Sequence, residues 1–346
     1  MNMSTNADAS SLSTLGIKAN VSYLAEINKE SELVELSDFI ETLRLPSINL
    51  GAGSNLTFCA DYPGVAVRSK LDFIEQAGHR LVRVGSATKL DELVSWSIAR
   101  NLSGLEALSL IPGTVGGAVA LNAGAFGSTI ADHLDSVRVY DISQRRSRLL
   151  GKSELNYWHR SSIFRQRRGD GWLILDAIFK LKNSFQLPVH PKINPIISNP
   201  AALRQAVTGL RSHLPDPVVS RTAGSFFLNP TVTNRTAEIL KSRFPGLAIR
   251  NFDSNHQQIA AGWLLDAAGL RGLRFNGFYL DHNHANIVIN ENAGANGGDL
   301  ISFISYVQTV IKQFCDLDIS VEPLLIGEEF WRGHLTNRQP AVAKVG

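Results

Sequence analysis

Arg160 is the cation of this sequence whose neighbours are least typical of a solvated loop. It lies in the segment YWHRSSIF, and we expect Trp158, Ile163 and Phe164 to be buried. An arginine held among apolar side chains requires an anion, which is either an internal carboxylate or the carboxylate of a substrate. The basic run at residues 165–168 lacks such neighbours and is typical of an exposed loop.

Ser225 and Glu322 are polar residues for which a structural and a catalytic role both remain open. Ser225 stands between Gly224 and Phe226, a context typical of a turn, and it lacks the GxSxG pattern of a hydrolase nucleophile. Glu322 lies in DISVEPLL, where Pro323 keeps it extended. Strand alternation predicts that Glu322 faces solvent, the common position of a glutamate.

The segment IPGTVGGAVALNAGAFG at residues 111–127 has three interpretations, and no charged residue occurs between Ala107 and Ala131. A membrane span fits its length, but Pro112, Asn122 and the glycines would leave backbone groups unpaired in lipid, so we exclude it. A buried stretch of sheet with sharp turns and a phosphate-binding loop both remain, and they are compatible.

A second glycine-rich loop, GAGSN at residues 51–55, follows a predicted strand at residues 47–50. It begins like a dinucleotide-binding fingerprint, but Leu56 replaces the third glycine and TFC does not open a helix. A lone GxG is weak evidence. Two such loops could hold a diphosphate from both sides.

These candidates must be positioned by alternating strands and helices. Spacing and composition predict strands over residues 47–50, 65–69, 80–84, 136–141, 172–181, 285–290 and 318–325. They predict helices over residues 89–101, 201–211, 231–243, 257–268 and 299–314. The polar segment 183–199 is expected to be a loop or a boundary, and Asn199-Pro200 an N-cap followed by proline in the first helical turn.

Composition indicates a soluble, ordinary globular enzyme. The chain has 346 residues with 44% apolar and 19% charged side chains, and its net charge of +3 gives no argument for nucleic-acid binding. Cys59 and Cys315 are far apart and lack zinc-site spacing, so neither a disulfide scaffold nor a metal is expected. The first twelve residues do not read as a signal peptide, so a cytoplasmic setting is expected.

Taken together, the motifs resemble those of the UDP-N-acetylenolpyruvoylglucosamine reductase family, from about Thr14 to Gly327. The motifs that carry the resemblance are LGAGSN (50–55), GLEALSLIPGTVGGAVALNAGAFG (104–127), HRSSIFR (159–165), LPDPVVSRTAGSFFLNP (214–230), AAGWLLDAAGLRG (260–272), HANIVIN (284–290) and VEPLLIG (321–327). Each motif alone is modest evidence, but seven in the family's order are highly specific.

The resemblance implies an α+β fold: a two-subdomain FAD-binding module of the vanillyl-alcohol-oxidase/PCMH type, followed by an α+β substrate-binding domain. We expect the FAD subdomains at residues 14–70 and 71–185, the substrate domain at 199–330 and a flexible tail at 331–346. The implied activity is NADPH-dependent, FAD-dependent (noncovalent) reduction of UDP-N-acetylglucosamine enolpyruvate to UDP-N-acetylmuramate. That reaction belongs to peptidoglycan synthesis, and so to cell wall biogenesis, cell shape and cell division.

The resemblance also assigns roles to residues. Arg160 falls on the catalytic arginine, Ser225 on the serine that protonates the intermediate, and Glu322 on the catalytic glutamate. The implied cofactor residues are Gly51, Ala52, Gly53, Ser54, Asn55, Ile111, Pro112, Gly113, Thr114, Gly116, Gly117, Asn122, Gly124 and Ala125. The implied substrate residues are His213, Asn229, His284 and Asn286.

Three departures from the family pattern concern substrate contacts. His159 stands where members often have tyrosine before the catalytic arginine, and His213 replaces a lysine before LPDP. The long loop that should cap the substrate diphosphate, LPVHPKINPI, contains no tyrosine. The alternatives are therefore a diverged FAD oxidoreductase acting on another acid, a catalytically silent sugar-nucleotide binder and, more distantly, a nucleic-acid binder. We expect a monomer without membrane insertion.

Overall fold

The computed structural model describes residues 1–166, 171–217 and 219–327 and divides into two compact units. The first unit comprises Met1–Ala7, Val21–Gly53 and Pro63–His213, and the second comprises Asp8–Asn20, Ser54–Tyr62 and the described part of Leu214–Gly346. The units change at residue 213 rather than at the predicted 199. The predicted tail at 331–346 and part of the basic run at 165–168 lie outside the described residues.

Short strands and helices follow one another along the chain. The strands are β1 Asn2–Asp8, β2 Asn20–Ile27, β3 Ser47–Leu50, β4 Leu56–Phe58, β5 Tyr62–Ser69, β6 Ile74–Gly78, β7 Leu81–Gly85, β8 Gly124–Ala125, β9 Ser128–Thr129, β10 Leu134–Asp141, β11 Arg146–Gly151, β12 Trp172–Lys180, β13 Thr222–Ser225, β14 Thr231–Thr233, β15 Ile249–Asn251, β16 His256–Ile259, β17 Arg274–Phe275, β18 Phe278–Leu280, β19 Ile287–Asn290 and β20 Leu324–Ile326. The α-helices are α1 Leu33–Leu43, α2 Leu90–Ala99, α3 Val115–Leu121, α4 Ile130–His133, α5 Ile163–Gln166, α6 Pro200–Arg211, α7 Asn234–Arg243, α8 Ala261–Ala267 and α9 Gly297–Cys315.

The first unit is built on two sheets. One has the order β1-β2-β5-β3, with β3 and β5 parallel, and the other has the order β11-β10-β12-β7-β6, with antiparallel neighbours. Val84, Val137 and Phe179 of the second sheet are fully buried in a core that also takes in residues of α2 and α3. The first sheet uses strands from residues 2–69 and the second uses strands from residues 74–180, while the subdomains at residues 14–70 and 71–185 stay a prediction.

The second unit contains a sheet of order β13-β19-β18-β17, a smaller sheet β14-β16-β15 and the parallel pair β20-β4. Helix α9 supplies much of its core, since Leu300, Phe303 and Val307 have no exposed surface. Asn296 begins this helix by accepting a hydrogen bond from Asp299 N at 3.1 Å, as a capping residue does. The helix predicted at residues 299–314 is confirmed.

Two predicted helices are correct only in their second parts. The helix predicted over residues 231–243 begins after β14, because Thr233 caps α7 by accepting from Thr236 N at 3.2 Å. The helix predicted over residues 257–268 begins after β16, which pairs with both β14 and β15. These short strands depend on hydrogen bonds to distant residues, and local periodicity does not report such bonds.

Two other predictions also change. Within residues 318–325 the regular strand begins only at Leu324, because Pro323 has no N–H for a ladder and Val321 makes only an isolated bridge with Phe227. Within residues 111–127 the sheet interpretation is wrong, since the segment forms α3 and the short hairpin β8-β9. No helix among the described residues is long and apolar enough to cross a bilayer.

Candidate active site

The two glycine-rich segments meet in the first unit. A Cβ atom on Gly51 would lie 2.9 Å from Thr114 Oγ1 and 3.5 Å from Gly117 Cα, so a side chain at position 51 has no room. Thr114 begins α3, and its Oγ1 accepts from Gly117 N at 3.4 Å. We call residues 51–53 and 113–117 the glycine cradle.

Backbone geometry also requires the glycines of the cradle. Gly53 has φ +72° and Gly113 has φ +119°, conformations that a side chain makes costly. A Cβ atom on Gly116 would lie 2.9 Å from Ser86 Cβ, so α3 packs at backbone distance from the end of β7. The glycines leave the backbone N–H groups of the cradle open to close approach, which fits the pyrophosphate of FAD.

The far end of α3 holds the segment that carries Arg160. Tyr157 donates its phenol to Val119 O at 3.1 Å, and Ser162 Oγ donates to Ala120 O at 2.6 Å. Burial raises the pKa of the Tyr157 phenol, so it remains a donor. Both acceptors are carbonyl groups of the last turn of α3, where the regular helical hydrogen bonds end.

Asn122, predicted as a cofactor residue, completes the attachment. It ends α3 at φ +50°, is 7% exposed, donates from Nδ2 to Trp158 O at 3.0 Å and accepts at Oδ1 from Ala131 N at 3.1 Å. Both ends of its amide are therefore bonded to the protein backbone. Contact between Asn122 and the cofactor stays a prediction, and the structure shows a positioning role.

Residues 158–161, the arginine turn, are a tight turn. Trp158 N donates to Ser161 O at 3.0 Å and Ser161 N donates back to Trp158 O at 3.2 Å. Arg160 itself has φ +52°, a left-handed conformation that glycine normally supplies. The expectation that Trp158 is buried is wrong, because 61% of it is exposed, while Ile163 packs partly against the core.

Arg211 is a residue of this region that sequence reasoning missed. It lies in the last turn of α6, where burial and the neighbouring Arg160 lower the pKa of its guanidinium. Arg211 and Arg160 therefore place two positive charges near each other in the first unit, an arrangement that would favour a bound anion. The sequence feature that could have pointed to Arg211 is its position two residues before His213, an exposed residue that is predicted to bind the substrate.

The remaining predicted cofactor residues of the first unit flank α3. Gly124 and Ala125 form β8, and a Cβ atom on Gly124 would lie 2.9 Å from Ser128 O of β9. Ile111 and Pro112 precede the cradle on the surface side, with Pro112 exposed. Ala52 is exposed at the turn between the cradle glycines, where a ligand can reach its backbone.

In the second unit Ser225 stands at a β-bulge. Thr222 pairs with Ile289 and Ser225 with Ile287, so three steps along β13 oppose two along β19. Gly224 allows this at φ +74°, and its N–H donates to Thr222 Oγ1 at 3.2 Å. Bulges re-aim side chains, and here Ser225 is exposed. We call residues 222–225 the serine bulge.

Asn286, predicted as a substrate residue, is bonded to Phe226 and Phe227, which directly follow the serine bulge. Its Oδ1 accepts from Phe227 N at 2.9 Å, its Nδ2 donates to Phe227 O at 2.8 Å, and its backbone O accepts from Phe226 N at 2.7 Å. The residue is 5% exposed. Substrate contact by Asn286 stays a prediction; the contacts that the structure shows position Ser225.

Glu322 is joined to the same residues that follow the serine bulge. Its N–H donates to Phe226 O at 2.8 Å, directly after Ser225, and the side chain of Asn55 donates from Nδ2 to Glu322 Oε1 at 3.5 Å. Glu322 is half-buried, and it is not fully exposed as a plain surface glutamate would be. Hydrogen bonds and chain connectivity thus join Ser225, Glu322 and Asn55 into one group. Ser54 directly precedes Asn55 in the chain.

The other two predicted substrate residues also lie in the second unit. Asn229 Oδ1 accepts from Ala261 N at 2.9 Å, at the start of α8. His284 has its Cε1 3.7 Å from the position of a Cβ on Gly262, in the same helix. The structure therefore brings Asn229 and His284 to one end of α8. Arg160 and His213 belong to the first unit.

Among the described residues no cluster of three or more His, Cys, Asp or Glu side chains could hold a metal ion. The first unit offers the glycine cradle and the arginine turn, and the second unit offers the exposed Ser225 and the half-buried Glu322.

Comparison with known proteins assigns both halves of the chain. The FAD binding domain family matches residues 21–144, and the C-terminal domain family of UDP-N-acetylenolpyruvoylglucosamine reductase matches residues 216–326. The UDP-N-acetylenolpyruvoylglucosamine reductase of Polynucleobacter asymbioticus is 31% identical over 324 residues, covering 90% of this chain and 93% of the relative. That of Pseudoalteromonas translucida is 33% identical over 306 residues, covering 87% and 90%.

A solved structure shares the fold. It is UDP-N-acetylenolpyruvylglucosamine reductase from Thermus caldophilus, which aligns with a TM-score of 0.67 at 24% identity and covers 94% of this chain and 98% of its own. These matches confirm the predicted α+β fold and its FAD-binding module. The protein is an FAD-dependent oxidoreductase, and the chain belongs to the UDP-N-acetylenolpyruvoylglucosamine reductase family.

Proposed function

We propose that this protein reduces the enolpyruvyl group of UDP-N-acetylglucosamine enolpyruvate with NADPH, giving UDP-N-acetylmuramate for peptidoglycan synthesis in the cytoplasm. The observation that carries the proposal is the joined pair of Ser225, exposed at its bulge, and Glu322, whose backbone N–H is bonded to the following residue, Phe226. A turn serine without a function needs neither the bulge nor the glutamate.

FAD fits the first unit because the glycine cradle offers backbone where a Cβ atom would collide. Gly51, Gly53, Gly113, Thr114 and Gly117 would hold its pyrophosphate. The chemistry that FAD supplies when bound is hydride transfer, from NADPH to the substrate double bond.

Ser225, Arg160 and Glu322 have distinct tasks in this proposal. Addition of hydride to the terminal carbon leaves negative charge on the carbon that bears the carboxylate. The Arg160 guanidinium stabilises that charge, and its turn is fixed in advance by α3. Ser225 Oγ–H gives the proton to the charged carbon, and the Glu322 carboxylate polarises this centre. A serine hydroxyl is a weak acid, so it can protonate only a strongly basic centre beside such partners.

The decisive experiment separates the two half-reactions. The purified protein should be yellow, NADPH should bleach the flavin under anaerobic conditions, and UDP-N-acetylglucosamine enolpyruvate should then restore the colour within one turnover. Other unsaturated acids serve as controls. Recovery with another acid only would favour the diverged oxidoreductase, which the histidines at positions 159 and 213 make the second candidate. A folded protein that ignores added FAD would contradict both.

A further inference from the structure

Asn55 forms the link between the GAGSN loop and Glu322. Its backbone O accepts from Leu324 N at 3.0 Å, and its Nδ2 donates to Glu322 Oε1 at 3.5 Å. The chain continues from Asn55 into β4, which pairs in parallel with β20, so that Leu56 lies opposite Leu324. Asn55 therefore contacts the residues on both sides of Pro323.

The amide of Asn55 is bonded differently from that of Asn286 in the same unit. Its Oδ1 is buried and has no hydrogen-bond partner among the described residues, whereas Asn286 bonds Phe227 through both ends of its amide. A carboxylate accepts hydrogen bonds only, so Glu322 fixes the NH2 group on its side and leaves the oxygen open. An open buried acceptor is costly, so this orientation of the amide is kept at the expense of its oxygen and in favour of the bond from Nδ2 to Glu322.

The loop GAGSN is divided between the two units, with Gly51 and Gly53 in the first unit and Asn55 in the second. Gly51 faces Thr114 and Gly117 of the cradle. The side chain of Asn55 instead donates to Glu322. The residues of this one short motif therefore contact two different parts of the protein, the glycine cradle and Glu322. A role in cofactor binding alone does not explain the contact with Glu322.

We infer that Asn55 is a positioning residue for Glu322: its side-chain amide holds the carboxylate in place for the protonation half of the reaction, a role that cofactor binding by the loop does not account for. This inference rests on the proposed function. The 3.5 Å contact is at the outer limit of a hydrogen bond, and such contacts in ligand-free enzymes are often long and tighten when the ligand binds.

The test compares Asn55→Ala, Glu322→Ala and the double variant in the two half-reactions. Asn55→Ala should leave FAD affinity and the rate of flavin reduction by NADPH within about threefold of the wild type, while substrate-dependent reoxidation slows about tenfold to a hundredfold. In the Glu322→Ala background the same change should slow reoxidation less than about twofold, because the bond is already absent. Equal effects in both backgrounds, wild-type reoxidation or lost FAD affinity would each overturn the inference.

Two further variants keep the result interpretable. Asn55→Asp preserves the shape, replaces the donor by a second carboxylate, and should slow reoxidation at least as much as Asn55→Ala even where the alanine variant folds poorly. Asn290→Ala is the matched control: Asn290 is 3% exposed and donates from Nδ2 to Leu15 O at 3.0 Å, away from Glu322. It should lower the denaturation midpoint and show no coupling with Glu322→Ala.

Failure of the proposed function is visible separately. It appears as wild-type reduced flavin that the sugar nucleotide does not reoxidise. In that case urea unfolding of the wild type, the two single variants and the double variant still measures the Asn55–Glu322 contact without substrate. Midpoint losses that add in the double variant would reject the contact, and losses smaller than the sum would support it.

Discussion

The arginine turn and the serine bulge each present one predicted catalytic side chain on a backbone with positive φ, but they place the strain on different residues. In the turn, Arg160 itself has φ +52°. In the bulge, Gly224 takes φ +74° and Ser225 follows in extended pairing with Ile287. In the arginine turn the conformational cost falls on Arg160 itself, whereas in the serine bulge it falls on Gly224, which tolerates a positive φ.

The two regions are also held in different ways. The turn is attached to the end of α3 by side chains, including Asn122 and Ser162, which bond to backbone groups. The bulge is held by backbone pairing with β19, and the residues that follow it are held by both the backbone and the side-chain amide of Asn286. We expect substitutions near Arg160 to act through single side chains, and substitutions near Ser225 to act through backbone conformation.

The largest effect should come from removing the hydroxyl while the bulge is kept. Ser225→Ala should reduce the rate of the substrate half-reaction by about a hundredfold to ten-thousandfold, because the proton donor is lost. Flavin reduction by NADPH should be unchanged in stopped-flow measurements. Ser242→Ala, at an exposed serine whose Oγ bonds Ile239 O, is the matched control. A wild-type rate for Ser225→Ala would make this serine a turn residue only.

Gly224→Ala should disrupt the bulge without a steric clash. Nothing lies within 4 Å of a Cβ at Gly224, so the cost is that of the backbone conformation, about 1–2 kcal/mol of unfolding free energy. Gly209 of α6 also has open space around its Cβ position, and Gly209→Ala should instead stabilise by about 0.5–1 kcal/mol. Chemical denaturation measures both, and equal shifts would show that the bulge does not need a positive φ.

Arg160→Gly and Arg160→Ala test the strain in the arginine turn. Both should remove turnover, but the glycine variant should be more stable than the alanine variant by about 1 kcal/mol, because glycine relieves the left-handed strain. At Arg235, exposed in α7, alanine should be the more stable by a similar amount. Thermal unfolding of the glycine and alanine variants at positions 160 and 235 tests whether the order of stability reverses between the two positions. The same order at both positions would show that position 160 is unstrained.

The smallest effect should be a pH dependence in the first unit, at the pair Asp91–Arg204 that connects α2 with α6. Burial raises the pKa of the Asp91 carboxyl, but the bidentate bonds from Arg204 and the bond from Leu110 N together hold it below its usual 3.8. A lowered carboxyl pKa means that this stabilisation is present above about pH 4 and is lost as the pH falls through the folded value. Asp91→Asn should therefore flatten the dependence of Tm on pH below about 4, and an unchanged slope would exclude this pair as its source.

Sequence reasoning was most reliable where one helix or strand carries its own signal. The spacing of Leu300, Phe303 and Val307 is that of a buried helix face, and α9 follows it. It failed for β14 and β16, whose three or four residues become strands only by pairing with each other. It also failed for Trp158, because the apolar neighbours of a turn need not point inward.

The candidate site shows the same division. The residue types of Arg160, Ser225 and Glu322 could be selected from their motifs, as could the glycines of the cradle. Their supports could not, since Asn122 and Asn286 are indistinguishable in sequence from ligand contacts, and both bond the protein backbone. Arg211 could be recognised as part of this region only from the folded structure, in which its guanidinium lies near that of Arg160.

The family, the two glycine segments and the residue types available for catalysis could all be read from the chain alone, because each is encoded in a contiguous motif. The folded structure was needed to show that Gly51 meets Thr114, that Ser225 stands at a bulge and that Asn55 reaches Glu322. The physical reason is that these contacts join residues far apart in the chain. Their geometry depends on how strands pair and helices pack, and no local pattern specifies that.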